Sequence, residues 1–173
     1  MESMIFFLYG PDTYRSRQKL KFYKEGFKKK YDPRGFNIEV MDGEKLILEE
    51  FRKKLESRGL LSKKKMVVVE SILQNKSKKI QDETPEYLKE NPLDKDNILI
   101  FWEGDIGGKR TKGKMVKEKT GKLVKFLREQ AKGEEFESLT GAKLNHWALN
   151  EITQKRGKIA KDAKLTDMQS SNR

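Results

Sequence analysis

Short apolar runs separated by longer charged stretches dominate the chain. Met4–Tyr9 is almost wholly apolar, Met66–Val69 reads Met-Val-Val-Val, and Ile98–Trp102 reads Ile-Leu-Ile-Phe-Trp. Near-continuous runs of this length predict strands covered on both faces, as in a parallel sheet. Gly35–Met41 alternates instead, with Phe36, Ile38 and Val40 on one side, and Glu134–Leu139 alternates more weakly around Phe136. Between these runs the apolar period lengthens toward that of a helix. Thr13–Lys30 is long and basic, with Asp12 or Thr13 as N-cap. Leu46–Ser57 sets Leu46, Phe51 and Leu55 on roughly one face, and Lys79–Lys89 does so with Ile80, Tyr87 and Leu88, interrupted by Pro85. Met115–Ala131 and Ala142–Ile152 complete the helical patterns.

Strands alternating with helices predict βαβ units and an α/β three-layer sandwich around a mainly parallel five-stranded sheet. The glycine- and lysine-rich stretch Gly104–Gly113 reads as a loop. Periodicity fades after Arg156, and Asp162–Arg173 reads as an unpacked tail. The expected division is an α/β domain over 1–139 and a helical segment over 140–173.

Composition narrows the partners. Lys and Arg exceed Asp and Glu by 39 to 27 in 173 residues, a net charge of +12. Such an excess favours polyanionic partners, nucleic acid first and acidic protein surfaces second. Arg15–Arg34 holds nine basic residues against Glu25 and Asp32, and Lys109–Lys132 holds ten against Glu118 and Glu129. Either stretch reads as a phosphate-contacting face or as a solvated helix face, with Lys112, Lys114, Lys117 and Lys119 the candidate DNA contacts. The chain has no cysteine, which excludes disulfides and thiolate metal sites. No segment approaches the roughly 20 apolar residues of a membrane helix, so a cytoplasmic protein without membrane partners is expected.

The chemistry is defined mainly by what is missing. The order strand, Gly10, basic helix is that of a phosphate-binding loop, whose signature is G-x-x-x-x-G-K-[ST]. Counting from Gly10, the second glycine is Arg15, the lysine is Ser16 and the hydroxyl residue is Arg17. Gly10, Asp12 and Arg15 thus mark a degenerate loop. Without the lysine for phosphate and the hydroxyl for magnesium, ATP hydrolysis is not expected, and no cofactor is. His146, the single histidine, has no second histidine or cysteine for a metal site or nucleophilic dyad. Glu103 and Asp105 follow a strand, as metal-binding carboxylates do, but read as loop or capping residues. Leu60 and Leu61, between Gly59 and Ser62 ahead of the third strand, read equally as an exposed anchor or as a staple of helix to sheet.

Taken in order, several segments resemble the delta subunit of the bacterial DNA polymerase III clamp loader. They are Phe7–Tyr14; Asp42-Gly43-Glu44 with Phe51 and Leu55; Gly59–Glu70; Leu99–Glu103; and Phe136–Leu144 followed by Trp147. The likeness runs over about residues 4 to 157. It implies an AAA+-like fold without a working phosphate loop. It also implies a role in DNA replication, where such a subunit binds the ring-shaped sliding clamp and helps open it. The family's clamp contact is an exposed hydrophobic pair, which falls on Leu60 and Leu61; the aromatic usual at the second position is Leu61 here. Ser57 and Arg58 would flank this anchor, and Lys63 and Lys64 would meet an acidic rim. Family members continue through a helical lid and a collar that holds the loader subunits together, whereas this chain stops within the lid, as a fragment or a short form. The alternative functions are a free-standing basic DNA-binding module and a small P-loop enzyme.

Overall fold

A computed structural model describes residues 4–57, 64–107, 110–111, 114–115 and 119–170, with side chains omitted at 110–111, 114–115 and 157–170. The chain divides into two compact units, Met1–Ser138 and Leu139–Arg173. In the first, β1 (Ile5–Tyr9), α1 (Thr13–Tyr31), β2 (Ile38–Asp42), α2 (Leu48–Glu56) and β3 (Lys65–Glu70) lead through a 3-10 turn at Ile72–Gln74 into α3 (Lys78–Glu90). Then come β4 (Asn97–Trp102), a two-stranded ribbon of β5 (Arg110–Thr111) and β6 (Lys114–Met115), α4 (Lys122–Gln130) and β7 (Lys132–Glu135). The second unit is one helix, α5 (Gly141–Ser170).

The sheet has the order β2-β3-β4-β1-β7, and all of its pairings are parallel. Its three central strands are the three continuous apolar runs, as burial on two faces requires. Ile5, Phe7, Val67, Val69, Leu99 and Phe101 point to one side, where they meet Phe51, Ile80, Leu123 and Leu127 of α2, α3 and α4. Leu8, Met66, Val68, Ile100 and Trp102 point to the other, against Leu20 and Phe27 of α1. The predicted five-stranded α/β sandwich is therefore the observed one. Each large side chain so buried contributes about 1.5–3 kcal/mol, and the alternation of faces along every central strand locks the register.

Five local expectations change. β2 begins at Ile38 rather than Gly35: Ile38 packs against the α1-side core and Met41 is buried, while Val40 is 53% exposed and Phe36, ahead of the strand, is 56% exposed. β2 is an edge strand, so its outer positions have no neighbouring strand to cover them. The predicted helix at Met115–Ala131 begins only at Lys122, because Gly121 has φ +146° and interrupts a right-handed helix. Gly104–Gly113, read as a loop, contributes Arg110–Thr111 to the β5–β6 ribbon. The last strand ends at Glu135 rather than Leu139, because Phe136 turns off the ladder to bond the loop after β1. In the second unit α5 continues to Ser170, past the point where apolar periodicity fades. A helix satisfies its own backbone hydrogen bonds without a packed partner.

Candidate functional site

The loop between β1 and α1 is closed on protein groups. Gly10 has φ +129°, and a Cβ there would lie 2.5 Å from the carbonyl oxygen of Phe136. Only glycine fits both the backbone and the approach. The Gly10 N–H donates to the Gly104 carbonyl at 3.0 Å, and the Asp12 N–H donates to the Phe136 carbonyl at 3.0 Å. Phe136 in turn donates its own N–H to Tyr9 at 2.7 Å. These amides are of the kind a phosphate loop offers to its anion.

The helix start is filled in the same way. The Asp12 carboxylate accepts the Arg15 N–H at 3.0 Å and pairs with Arg15 Nε at 2.7 Å. It thereby places a fixed negative charge at the positive end of the α1 dipole. The Arg15 guanidinium also donates to the Glu137 carbonyl. Ser16, at the lysine position of the motif, is fully buried; its Oγ accepts from Trp102 Nε1 at 3.0 Å and donates to the Thr13 carbonyl at 3.2 Å. Arg17, at the hydroxyl position, reaches Glu70 Oε2 at 2.5 Å and lies 3.5 Å over the Trp102 ring. Gly10, Asp12 and Arg15 are brought together around a protein carbonyl and a carboxylate.

Around the leucine segment, Arg58, Leu60, Leu61 and Lys63 lie outside the described residues. Its two ends are described and are joined. Ser57 ends α2, donating its N–H to the Lys53 carbonyl at 3.0 Å and its Oγ–H to the Lys54 carbonyl at 3.1 Å. The buried Lys65 ammonium donates to Ser57 Oγ at 2.5 Å, to the Ser57 carbonyl at 3.3 Å and to the Lys54 carbonyl. Burial lowers the pKa of Lys65. Lys64 forms an ion pair with Asp96 at 2.9 Å, and that hydrogen bond raises its pKa. Lys65 escaped the sequence reading because it stands in a run of three lysines; only its place as the first residue of an internal strand distinguishes it.

Lys112 and Lys117 of the basic stretch also lie outside the described residues, and the backbone alone places Lys114, in β6. Lys119 turns inward: its ammonium donates to the Leu73 carbonyl at 3.1 Å, and burial lowers its pKa. On the same 3-10 turn, the fully buried Glu103 accepts the Leu73 N–H at 2.9 Å through Oε1, while Oε2 has no protein partner. Burial pushes the Glu103 carboxyl up to about 7, against the backbone hydrogen bonds of the turn and the Lys119 charge. Asp105 behaves as a loop residue, accepting the Gly107 N–H at 2.9 Å. On α5, His146 Nε2 lies 3.1 Å from Asn150 Nδ2. Among the described residues no group of three or more His, Asp or Glu is placed to hold a metal ion. None of their helices is long and apolar enough to cross a membrane.

No protein-family model and no curated protein sequence matches the chain. A solved structure of the Thermotoga maritima DNA polymerase III gamma subunit-related protein aligns with TM-score 0.46 and 12% identity, over 83% of this chain and 43% of that one. The Bacillus subtilis DNA clamp loader delta protein aligns with TM-score 0.59 and 18% identity, over 89% of this chain and 44% of that one. The chain therefore has the fold of that delta protein over most of its own length, and spans less than half of the delta protein's.

Proposed function

We propose that the chain is a clamp-loader delta-type subunit of DNA replication, which binds a ring-shaped sliding clamp in the cytoplasm without hydrolysing ATP. The observation that carries this reading is the closure of the Gly10 loop. A nucleotide phosphate would have to displace the Phe136 carbonyl from Asp12 and the Asp12 carboxylate from Arg15, and it would find a buried serine where a lysine is needed. The shared fold supplies the family context. Function then rests on binding. Leu60 and Leu61 are the hydrophobic anchor, and the clasp between Ser57 and Lys65 holds the ends of their segment together on the rigid sheet. The other loader subunits are partners through whatever lid and collar the whole protein carries.

The test is surface plasmon resonance against the cognate clamp, with titration calorimetry of magnesium–ATP in parallel. Wild-type chain is expected to bind the clamp, the Leu60→Ala/Leu61→Ala variant to bind at least about tenfold more weakly, and ATP to give no heat. Unchanged clamp binding by the double variant would refute the anchor, and saturable ATP binding would refute the closed loop.

A further inference from the structure

On the α1 side of the sheet lies a hollow of about 220 Å³, at the strand ends where Phe6, Met66 and Ile98 enter. Phe22, Gly26 and Lys30 border it from α1, one helical turn apart, and its walls are almost entirely apolar. Phe22 is 68% exposed, the most exposed large hydrophobic side chain among the described residues. It stands beside the Tyr23 ring at 6.1 Å rather than in the core.

Gly26 is the second observation. It lies in the middle of a 19-residue helix, where glycine costs about 1 kcal/mol relative to alanine. Its φ is not in the left-handed region, and a Cβ placed on it would meet nothing within 4 Å. Neither backbone conformation nor a close approach requires glycine there. Its structural consequence is that the hollow stays open between Phe22 and Lys30.

Charge selects the occupant. Lys30 is the one charged residue that lines the hollow, and the neighbouring Lys29, seven positions after Phe22 and so on the same helix face, is exposed. The one acidic residue of α1, Glu25, is engaged by Lys28 at 3.4 Å. Two lysines at one end of an apolar hollow complement an acidic segment that carries one large apolar side chain. We propose that this hollow is a docking site for an acidic peptide segment of a partner protein, which inserts one aromatic or branched side chain beside Phe22 while its carboxylates meet Lys29 and Lys30. The site is independent of the leucine segment and of the clamp reading.

The test is fluorescence anisotropy with the full chain and a labelled short acidic peptide carrying a single central phenylalanine. Binding is expected to weaken about tenfold or more when that phenylalanine is replaced by alanine, and likewise in Phe22→Ala and in Lys29→Glu/Lys30→Glu. Gly26→Leu fills the hollow from the helix side; it is expected to abolish binding while melting at or above the wild-type temperature. Wild-type affinity in either Phe22→Ala or Gly26→Leu would overturn the proposal. So would equal binding of the alanine peptide, or a labelled single-stranded oligonucleotide that binds where the peptide does not, since lysines alone would then be the site. Concentration-dependent dimerisation abolished by Phe22→Ala would assign the hollow to a second copy and overturn it as well.

Discussion

Replacing Glu103 with glutamine should make the protein more stable at alkaline pH and leave it little changed in acid. In the folded chain the carboxyl holds its proton up to about 7, against an ordinary value of 4.5. A group raised in this way contributes its stability fully below the unfolded value and loses it as pH rises through the folded one. The shift from 4.5 to about 7 is worth about 3 kcal/mol, at about 1.4 kcal/mol per unit. Desolvation is the dominant cause, which fits an Oε2 without a protein partner. The glutamine keeps an oxygen for the Leu73 N–H and carries no charge to desolvate. Urea unfolding followed by circular dichroism at pH 4.5 and pH 8 reads the difference directly. The stability of Glu103→Gln relative to wild type should rise by about 3 kcal/mol between the two. Adding Lys119→Met should move the wild-type transition to higher pH, because the Lys119 charge opposes the shift. A relative stability that is the same at both pH values would refute burial as the cause of the raised Glu103 carboxyl.

Gly10→Ala forces a Cβ into the Phe136 backbone and should cost about 2 kcal/mol or more by thermal unfolding; a loss within about 0.5 kcal/mol would contradict the closed loop. Lys65→Met removes the donor shared by Ser57 and Lys54, and should lower stability by about 1–3 kcal/mol. If the clasp positions the leucine segment, the same variant weakens clamp binding at temperatures where it is fully folded. Phe51→Ala empties a fully buried site packed on Tyr87 and Phe101, and should cost about 3–5 kcal/mol in urea. Phe36→Ser, on the exposed outer side ahead of the edge strand, should stay within about 0.5 kcal/mol of wild type.

The strands that were easiest to read are those whose physics is local and one-valued. Met66–Val69 and Ile98–Trp102 are apolar on both faces, and only a strand between two helical layers buries both. Alternation grouped Phe36, Ile38 and Val40 without saying how far their side is covered: Ile38 packs on the α1-side core, while Phe36 and Val40, at the edge of the sheet, stay exposed. The degenerate loop was legible as an absence of the right residues. What replaces the phosphate was not, because the Phe136 carbonyl lies 126 positions from Gly10, and sheet closure alone brings them together. Glu103 was read as a loop or capping residue and does accept the Leu73 N–H of the Ile72–Gln74 turn, but its full burial was not legible, for the same reason. Long-range contacts made by backbone groups leave no signature in residue type.

That closure also explains how the loop after β1 is held without a bound anion. A phosphate loop without its anion leaves helix-end and loop N–H groups to be satisfied elsewhere. Here Gly10 and Asp12 donate to carbonyls of Gly104 and Phe136, and Arg15 donates to the Asp12 side chain. The Trp102 indole and the Arg17–Glu70 pair fill the space beside them. The bonds from Phe136 tie the edge strand β7 to the start of α1, so the contacts that close the loop also hold the sheet's last strand in place. Introducing the motif's lysine by Ser16→Lys is therefore expected not to confer ATP binding. It would bury an ammonium beside Trp102, remove the indole's acceptor, and cost about 3 kcal/mol or more in stability. A Ser16→Lys chain that folds with wild-type stability and binds magnesium–ATP in calorimetry would show that the loop is still open.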